Sequence, residues 1–360
     1  MADINLKRFV DIDIEQHVHS TVVGTRGTVV LYTSDGTAGT TRLIESIGDA
    51  TAHYGNMATT MAYLNVFFNN GGVSVLVVEG VPYTGVTNDI ISNLEDKYII
   101  IASANADTNN AAAYTALKGV ATTRAADTNI YGINEKIILG RTTTIDETSV
   151  KNFAVKYSTI LGAEMAIAAY LSRINVYRND SVADYAFTQE TITAEKITDT
   201  VFGQIIDNDM NVDIYLANST RNMGGNLKDG SDIVNSYVKI ILHQTLTDRL
   251  ITLLTSKIKG AKGLSQIYAT IAQELESYRD CGYLTTDKIW TDDDLTVTYN
   301  NQNYTVITKG TALVSGYVIK VLPLSALTTE DKAERKAPPV YVIIADQYGI
   351  RKITINGEVI

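Results

Sequence analysis

The sequence predicts an α/β (α+β) protein with two domains, and three observations lead to this fold class. Short runs rich in valine and isoleucine alternate along the chain with longer segments of helical periodicity. The length of 360 residues exceeds what one hydrophobic core usually serves. Hydrophobic residues make up 45% of the chain and charged residues 19%, which are the proportions of an ordinary globular protein.

The clearest local pattern is a helix that ends at two glycines and passes into a strand. Met57–Phe68 is an apolar segment of helical length, and Val73–Val78 is rich in valine. Between them, Gly71 and Gly72 can take the positive φ angles that end a helix and reverse the chain. The stretch therefore predicts a buried helix, a tight turn and a strand.

The first 217 residues continue this alternation of strands and helices. A turn-rich loop at 34–40 follows the first strand, and the pattern pauses at Pro82, Gly85 and Asn88. We expect a domain crossing at this pause and an inserted α/β domain at 88–217. The predicted strands are Thr28–Thr33, Val73–Val78, Tyr98–Ala102, Lys136–Leu139 and Val212–Leu216, and the predicted helices are Met57–Phe68, Asn110–Arg124, Glu147–Tyr157 and Gly162–Arg173.

The rest of the chain predicts two long helices, a hairpin and two further strands. Apolar residues recur at three- and four-residue steps in both helices. A short charged helix is expected between the last two strands. Residues 21–87 plus 218–346 are assigned to a discontinuous core domain. The elements are the helices Ser231–Ser256 and Leu264–Cys281, the hairpin strands Leu295–Tyr299 and Tyr304–Thr308 joined through 300–303, and the strands Tyr317–Leu322 and Val340–Ala345.

Both ends of the chain show the alternation of a strand with one buried face. Residues 1–20 and 347–360 are therefore predicted to be an N-terminal and a C-terminal arm. A strand with one apolar face needs a sheet to join, in its own subunit or in a neighbouring one, and the sequence leaves both open. The apolar residues of the arms are Ile4, Leu6, Val10, Ile12, Ile14, Ile350, Ile353, Ile355 and Val359.

The composition argues against nucleic-acid and membrane partners. The net charge is −10 without a concentrated basic stretch, whereas nucleic-acid binding depends on Lys and Arg at phosphates. No apolar run approaches the roughly 18–20 residues of a membrane span, and the first residues lack the pattern of a signal peptide. Cys281 is the single cysteine, so no intrachain disulfide can form. The 21 tyrosines suit interfaces and cores equally well.

Two glycine-containing segments invite a nucleotide-binding interpretation, and neither supports it. The segment 24–27 precedes a strand, so it does not link a strand to the start of a helix. The segment 35–42 lies between a predicted strand and a predicted helix but lacks the Lys-Ser/Thr ending of a P-loop.

No set of residues suits a catalytic or metal centre. His17 and His19 share one face of a strand without a nearby third ligand. Neither the three aspartates at 292–294 nor the Asp-Asn-Asp segment at 207–209 has the ligand spacing of a calcium loop. Cys281 lies beside a glycine with no partner that would activate it. We therefore expect no catalytic residue, no metal site and no cofactor.

Three segments of the sequence together resemble one known family. The first is Phe67–Val78, with its two phenylalanines, two glycines and valine-rich strand. The second is the strand Gly316–Val321, followed by the charged segment Thr328–Pro339 and another apolar strand. The third is Ser181–Thr188. Together they resemble the contractile tail sheath proteins of myophages and R-type bacteriocins, over most of the chain and in order.

This resemblance implies a structural role and no enzymatic activity. In tail sheath proteins the terminal arms pair with core sheets of neighbouring subunits, which here would involve Ile4–Ile14 and Ile350–Val359. The implied partners are further copies in a helical polymer, an inner tail tube protein, and baseplate and tail terminator proteins. The chain would be made in the bacterial cytoplasm and assembled into a phage tail or bacteriocin particle, whose contraction drives the tube through a target cell envelope.

The charged helix predicted at Thr328–Lys336 is the tube contact that the resemblance implies. On a helix, Lys332, Arg335 and Lys336 would lie at i, i+3 and i+4 and form one basic face. The same order of acids before bases would also simply complement the helix dipole. Two other functions stay open, namely a non-contractile phage or prophage tail or baseplate protein, and an α/β enzyme with an unrecognised site.

Overall fold

The computed structural model describes residues 28–106, 111–128, 130, 134–177, 184–256, 260–286 and 288–346. The predicted arms, together with His17, His19 and the segment 24–27, lie outside these residues. The strands are β1 (Thr28–Tyr32), β2 (Thr41–Ile44), β3 (Val75–Val78), β4 (Tyr98–Ser103), β5 (Ile137–Thr142), β6 (Phe153–Tyr157), β7 (Asn211–Leu216), β8 (Ser219–Met223), β9 (Leu295–Tyr299), β10 (Gln302–Ile307), β11 (Tyr317–Val321) and β12 (Val340–Ile344). The helices are α1 (Ile47–Tyr54), α2 (Ala58–Asn69), α3 (Asn88–Ser92), α4 (Ala111–Ala126), α5 (Met165–Ser172), α6 (Asp199–Asp207), α7 (Ile233–Thr255), α8 (Gly260–Asp280) and α9 (Thr329–Ala333).

An eight-stranded sheet organises the first part of the chain. Its strand order is β2-β3-β1-β4-β5-β6-β7-β8. The six inner strands are parallel, and β2 and β8 run antiparallel at the two edges. Helices lie in every connection between consecutive parallel strands except that from β5 to β6, and they cover both faces of the sheet. This explains why β4 and β5 are buried along their whole length. This arrangement confirms the predicted α/β class.

The two faces of the sheet bury different chemistry. On one face, Phe153 and Val155 of β6 share a hydrophobic cluster with residues of α4 and α6. Because side chains alternate along a strand, Lys156 points to the opposite face, and it is fully buried there. On that opposite face α5 packs against β1 and β5, and α2 packs on α5.

The described residues divide into two compact units at positions other than those predicted. The sheet unit comprises the described residues of 28–174 and 184–234, and the second unit comprises 175–177 and 235–346. The predicted boundary at residue 88 falls between β1 and β4, which are neighbours in one sheet. The pause at Pro82–Asn88 is therefore a connection within the sheet unit.

The second unit contains two small antiparallel sheets, the long helices α7 and α8 and the short helix α9. The strands β9 and β10 pair around a two-residue turn at Asn300 and Asn301, whose φ angles of 48° and 60° fit a type I′ hairpin. The strands β11 and β12 pair separately. Trp290 and residues from both sheets share one hydrophobic cluster. The ion pair of Arg249 with the fully buried Glu274, at 2.5 Å, joins α7 to α8.

The two positions after α2 require glycine for different structural reasons. Gly71 takes a φ of 80°, and its N–H donates to Phe68 O at 3.0 Å. The Gly72 N–H donates to Phe67 O at 2.9 Å, which completes a Schellman motif. Gly72 itself does not have positive φ, contrary to the prediction. It is required because a Cβ there would overlap the Phe67 ring.

One element was predicted as a helix but is a strand, and two further strands were not predicted from the sequence. Residues Glu147–Tyr157 are not a helix, because Phe153–Tyr157 is the inner strand β6. The two antiparallel edge strands β2 and β8 are short and rich in polar residues, so their apolar alternation is weak.

Candidate assembly surfaces

The start of α9 is fixed by a capping box. Thr328 Oγ1 accepts from the Asp331 N–H at 3.0 Å, and Asp331 Oδ2 accepts from the Thr328 N–H at 3.1 Å. Asn300 Nδ2, at the tip of the β9–β10 hairpin, donates to the same carboxylate at 3.1 Å. These hydrogen bonds, first those from Thr328, hold the pKa of Asp331 well below its usual range.

The end of α9 changes the predicted basic face. The helix stops at Ala333, and Arg335 takes a left-handed conformation with φ 59°. The Arg335 and Lys336 N–H groups donate to Lys332 O and Asp331 O, so this end is also a Schellman motif, with arginine in the glycine position. Only Lys332 belongs to the helix. The predicted spacing of three cations on one helical face is therefore wrong.

The three cations differ in how much of their charge is compensated. Lys336 Nζ lies 2.6 Å from Glu334 Oε2 and 3.4 Å from Asp331 Oδ1, and these carboxylates raise the pKa of Lys336. Within the described ranges, neither Lys332 nor Arg335 has an ion pair, and both are exposed. The surface presents two uncompensated cations beside one paired lysine.

The sheet β11–β12 has two edges that no other described strand covers. Leu322 N donates to Pro339 O at 3.1 Å, and Ala345 N donates to Gly316 O at 2.8 Å. These two bonds identify the residues whose peptide groups point toward the partner strand. By alternation, the peptide groups of Ile319 and Val342 face outward on opposite edges. Both strands are mainly apolar, without the prolines and clustered charges that usually protect an edge.

The most strongly buried polar groups lie beneath the sheet and serve packing. Lys156 Nζ contacts Asp213 Oδ1 at 2.8 Å and both carboxylate oxygens of Glu190 at 3.0 and 3.1 Å. Tyr185 and Asn222 supply further oxygens at 3.1 and 3.0 Å. Burial is the main reason that the pKa of Glu190 is raised to about 7. All five side chains are buried, so a substrate has no access to them.

The segment 35–42 is filled by a carboxylate of the protein itself. Glu79 accepts from the Thr37 N–H at 2.8 Å, from Arg42 Nε at 2.7 Å and from the Tyr54 hydroxyl at 2.9 Å. The segment leads into the strand β2 and not into a helix, contrary to the prediction. An anion-binding loop needs free N–H groups at a helix start, so this geometry favours a structural turn.

The other candidate residues for chemistry stand apart from one another. His53 contacts Asp49 at 3.4 Å on α1, His243 is buried in α7, and burial raises the pKa of the Cys281 thiol. In the part of the chain that the structure describes, no group of three or more His, Cys, Asp or Glu side chains is arranged to hold a metal ion. None of the described helices is long and apolar enough to cross a membrane.

Known proteins resemble this chain in structure but not detectably in sequence. No protein-family model matches the chain, and a search of curated proteins finds no significant match. A chain in the cryo-EM structure of the anti-feeding prophage baseplate in its contracted state matches with a TM-score of 0.62, at 12% identity, over 99% of both chains. A sheath tail protein from Desulfitobacterium hafniense matches with a TM-score of 0.51, at 10% identity, over 79% of this chain and 94% of that one.

A sheath tail protein from Listeria innocua also matches, with a TM-score of 0.47 at 12% identity over 91% of this chain and 96% of that one. The first two matches, at such low identity, establish a shared fold. The chain therefore has the fold of sheath tail proteins, as the resemblance in its sequence implies.

Proposed function

We propose that this chain is a structural subunit of a contractile tail sheath that polymerises helically around an inner tube. One observation carries the proposal, namely the match in fold over 99% of both chains with a protein of a contracted baseplate. The similarity in fold to a sheath tail protein supports it independently. The proposal assigns no catalytic residue and no cofactor to the chain.

In this proposal the terminal arms, 1–20 and 347–360, hold neighbouring subunits together. An arm adds as a strand to the edge of β11 or β12 of another copy, where Ile319 and Val342 present outward-facing peptide groups. Each added backbone hydrogen bond contributes only about 0.5–1.5 kcal/mol, but the contact repeats at every subunit of a helical array. The flanking segments would let subunits rotate and slide during contraction without separating.

Lys332, Arg335 and Lys336 are proposed to contact the inner tube. Their exposure supports this role, and the two uncompensated cations would attract an acidic tube wall. The further partners are the baseplate and tail terminator proteins, and the setting is a phage tail or R-type bacteriocin particle. The charge reversals Lys332→Glu and Arg335→Glu should weaken binding to the tube protein, increasingly so as salt is lowered, whereas the double variant should unfold as the unmodified chain does.

The main alternative is a baseplate or non-contractile tail protein, because the full-length match comes from a baseplate structure. An α/β enzyme is the other alternative. Deleting residues 1–20 or 347–360 distinguishes a sheath subunit from these alternatives. A sheath subunit without an arm should stay folded but no longer polymerise. An armless chain that still forms full-length cylinders would contradict the arm mechanism.

A point substitution tests the proposed acceptor edge. Val342→Pro removes an outward-facing N–H without removing an inner hydrogen bond of the β11–β12 pair, so it should block polymerisation while the subunit stays folded. Thr296→Pro is the control for the proline itself, because the peptide N–H of Thr296 also faces outward, on the β9–β10 hairpin and at an exposed position. If both variants polymerise as the unmodified chain does, β12 is not the acceptor.

A further inference from the structure

A cavity of about 240 Å³ lies within the sheet unit. Its apolar wall includes Phe187, Phe202, Met210 and Met223. The rings of Phe187 and Phe202 and the Met223 side chain are partly exposed, so the cavity communicates with the surface. A cavity of about 150 Å³ with an apolar lining is enough to hold benzene. This one therefore has room for a substituted aromatic ring.

A carboxylate gives the lining a polar side. Asp209 lines the cavity, and its Oδ1 accepts from Asn226 Nδ2 at 2.9 Å. Among the described residues, no hydrogen-bond donor contacts its other oxygen, Oδ2, and the ammonium group of Lys228 is near enough to interact with the charge of Asp209. Hydrogen bonds to a charged acceptor are among the stronger ones in proteins. An aromatic ligand that also carries a hydroxyl donor, a phenol, suits this lining better than a purely apolar ring.

The wall at Phe187 is held in an uncommon backbone conformation. Phe187 has a φ of 62°, in the left-handed region that bulky residues rarely adopt. Its N–H donates to Asn222 O at 2.7 Å, and its carbonyl accepts from Arg221 Nη1 at 2.9 Å. These two bonds to β8 fix the backbone of Phe187 in advance of binding, which reduces the entropy lost when a ligand enters.

The same hairpin carries an exposed phenol at its other end. Tyr215 is 69% exposed, more than any other described aromatic side chain, and it lies next to the β7–β8 turn. Met210, at the cavity, precedes β7 by one residue, so cavity and tyrosine are separated by roughly 16 Å along the strand. This separation prevents Tyr215 from filling the cavity of its own subunit.

We propose that the cavity is a binding site for a tyrosine side chain and that Tyr215 of a neighbouring copy occupies it. A knob and a hole at two ends of one hairpin form a head-to-tail contact, which produces rings or open helical filaments and not closed two-fold dimers. The cavity itself is independent of the proposed function, whereas its use between subunits rests on the proposed helical polymer.

The cavity is tested first, with p-cresol as the probe and methyl NMR of the full chain carrying Tyr215→Ala. The methyl signals of Met210 and Met223 should shift on titration, and toluene, which lacks the hydroxyl, should bind about tenfold more weakly. Ala186→Leu, which fills the cavity, should abolish both shifts. If p-cresol leaves both methyl signals unchanged while the protein is folded, the binding site is refuted.

Disulfide trapping then tests the contact between copies. The double variant Tyr215→Cys with Ala186→Cys should form a ladder of linked chains under oxidising conditions, because the two positions are too far apart to pair within one chain. Tyr215→Cys with Thr122→Cys, at an exposed site on α4, is the control and should form none. Polymers that form without the expected ladder would overturn the Tyr215 contact and leave the sheath proposal standing. If no polymer forms at all, the p-cresol result still decides whether the site exists.

Discussion

Lys156 Nζ and Asp213 Oδ1 lie 2.8 Å apart on neighbouring parallel strands, and neither side chain has any exposure to solvent. Glu190 is the second carboxylate against the same ammonium group, at 3.0 Å. One cation between two acids leaves an excess negative charge in a dry site unless one acid keeps a proton. The cluster fixes how the segment that carries Tyr185 and Glu190 packs beside β8.

Removing the buried ammonium should strongly destabilise the fold. Lys156→Met leaves two carboxylates without a cation, and the loss of one partner from a buried ion pair costs about 3–5 kcal/mol. Chemical denaturation measures the change in the free energy of unfolding. Lys97→Met is the control, because the Lys97–Glu95 pair is exposed and should change stability by less than about 1 kcal/mol. If both variants change the free energy of unfolding equally, the buried cluster contributes no more to stability than an exposed ion pair.

The free energy of unfolding should fall as the pH rises toward neutrality. The pKa of Glu190 is raised from 4.5 to about 7 in the folded protein, facing Lys156, Asp213 and Tyr185. Between these pH values the folded state keeps a proton that the unfolded state has lost. The resulting stabilisation is fully present below pH 4.5 and is lost as the pH passes through about 7.

Glu190→Gln isolates this effect, because glutamine resembles the neutral acid at every pH. Its stability profile, measured by thermal or chemical unfolding from pH 4 to 8, should lack the decline that Glu190 produces. Glu45→Gln, at an exposed position, should keep the decline. An unchanged slope in Glu190→Gln would mean that Glu190 does not hold the proton.

Glycine should stabilise the protein at Arg335 and destabilise it at Lys332. Arg335 has a φ of 59°, a conformation that costs a residue with a side chain about 1–2 kcal/mol. After the entropy of glycine in the unfolded chain is subtracted, Arg335→Gly should gain about 0.5–1 kcal/mol. Lys332→Gly, inside the same helix, should lose about 1 kcal/mol. The two melting temperatures check the opposite signs, and a loss of stability in Arg335→Gly contradicts the assignment of the cap.

Replacing glycine by alanine should have opposite effects on stability at Gly72 and at Gly119. Gly72→Ala should destabilise by about 1–3 kcal/mol, because the new Cβ overlaps the Phe67 ring in a packed interior. Gly119→Ala, inside α4 with open space around the new atom, should stabilise by about 0.5–1 kcal/mol. Unfolding in denaturant measures both, and a neutral Gly72→Ala would indicate that the ring moves freely aside.

Local patterns were sufficient to predict most elements of the fold. The apolar strands β1, β3 and β4 and the helix α2 with its glycine cap follow from side-chain periodicity and turn chemistry. β6 does not, because its fully buried Lys156 interrupts the apolar pattern and is compensated by partners 34 and 57 residues away, Glu190 and Asp213. A single sequence gives no sign of such distant compensation.

For the candidate surface at α9, the sequence predicted which residues are exposed but not the shape of the backbone that carries them. Lys332, Arg335 and Lys336 are exposed as expected. The helix ends at a left-handed residue, which is usually glycine; because this residue is Arg335, the sequence gives no sign of the helix end. The sequence does not show that β11 and β12 have unpaired edges, because the apolar pattern of these strands is the same as that of strands inside a larger sheet. The arms remain a prediction from alternation and resemblance.

Negative-stain electron microscopy of the purified chain shows whether it assembles into a sheath, first alone and then with its co-encoded tube protein. A sheath subunit should form hollow helical cylinders, by itself or on the tube as a template. Loss of these cylinders on deletion of 1–20 or 347–360 would follow from arm exchange. A folded chain that stays dispersed under both conditions contradicts the proposal that it is a sheath subunit.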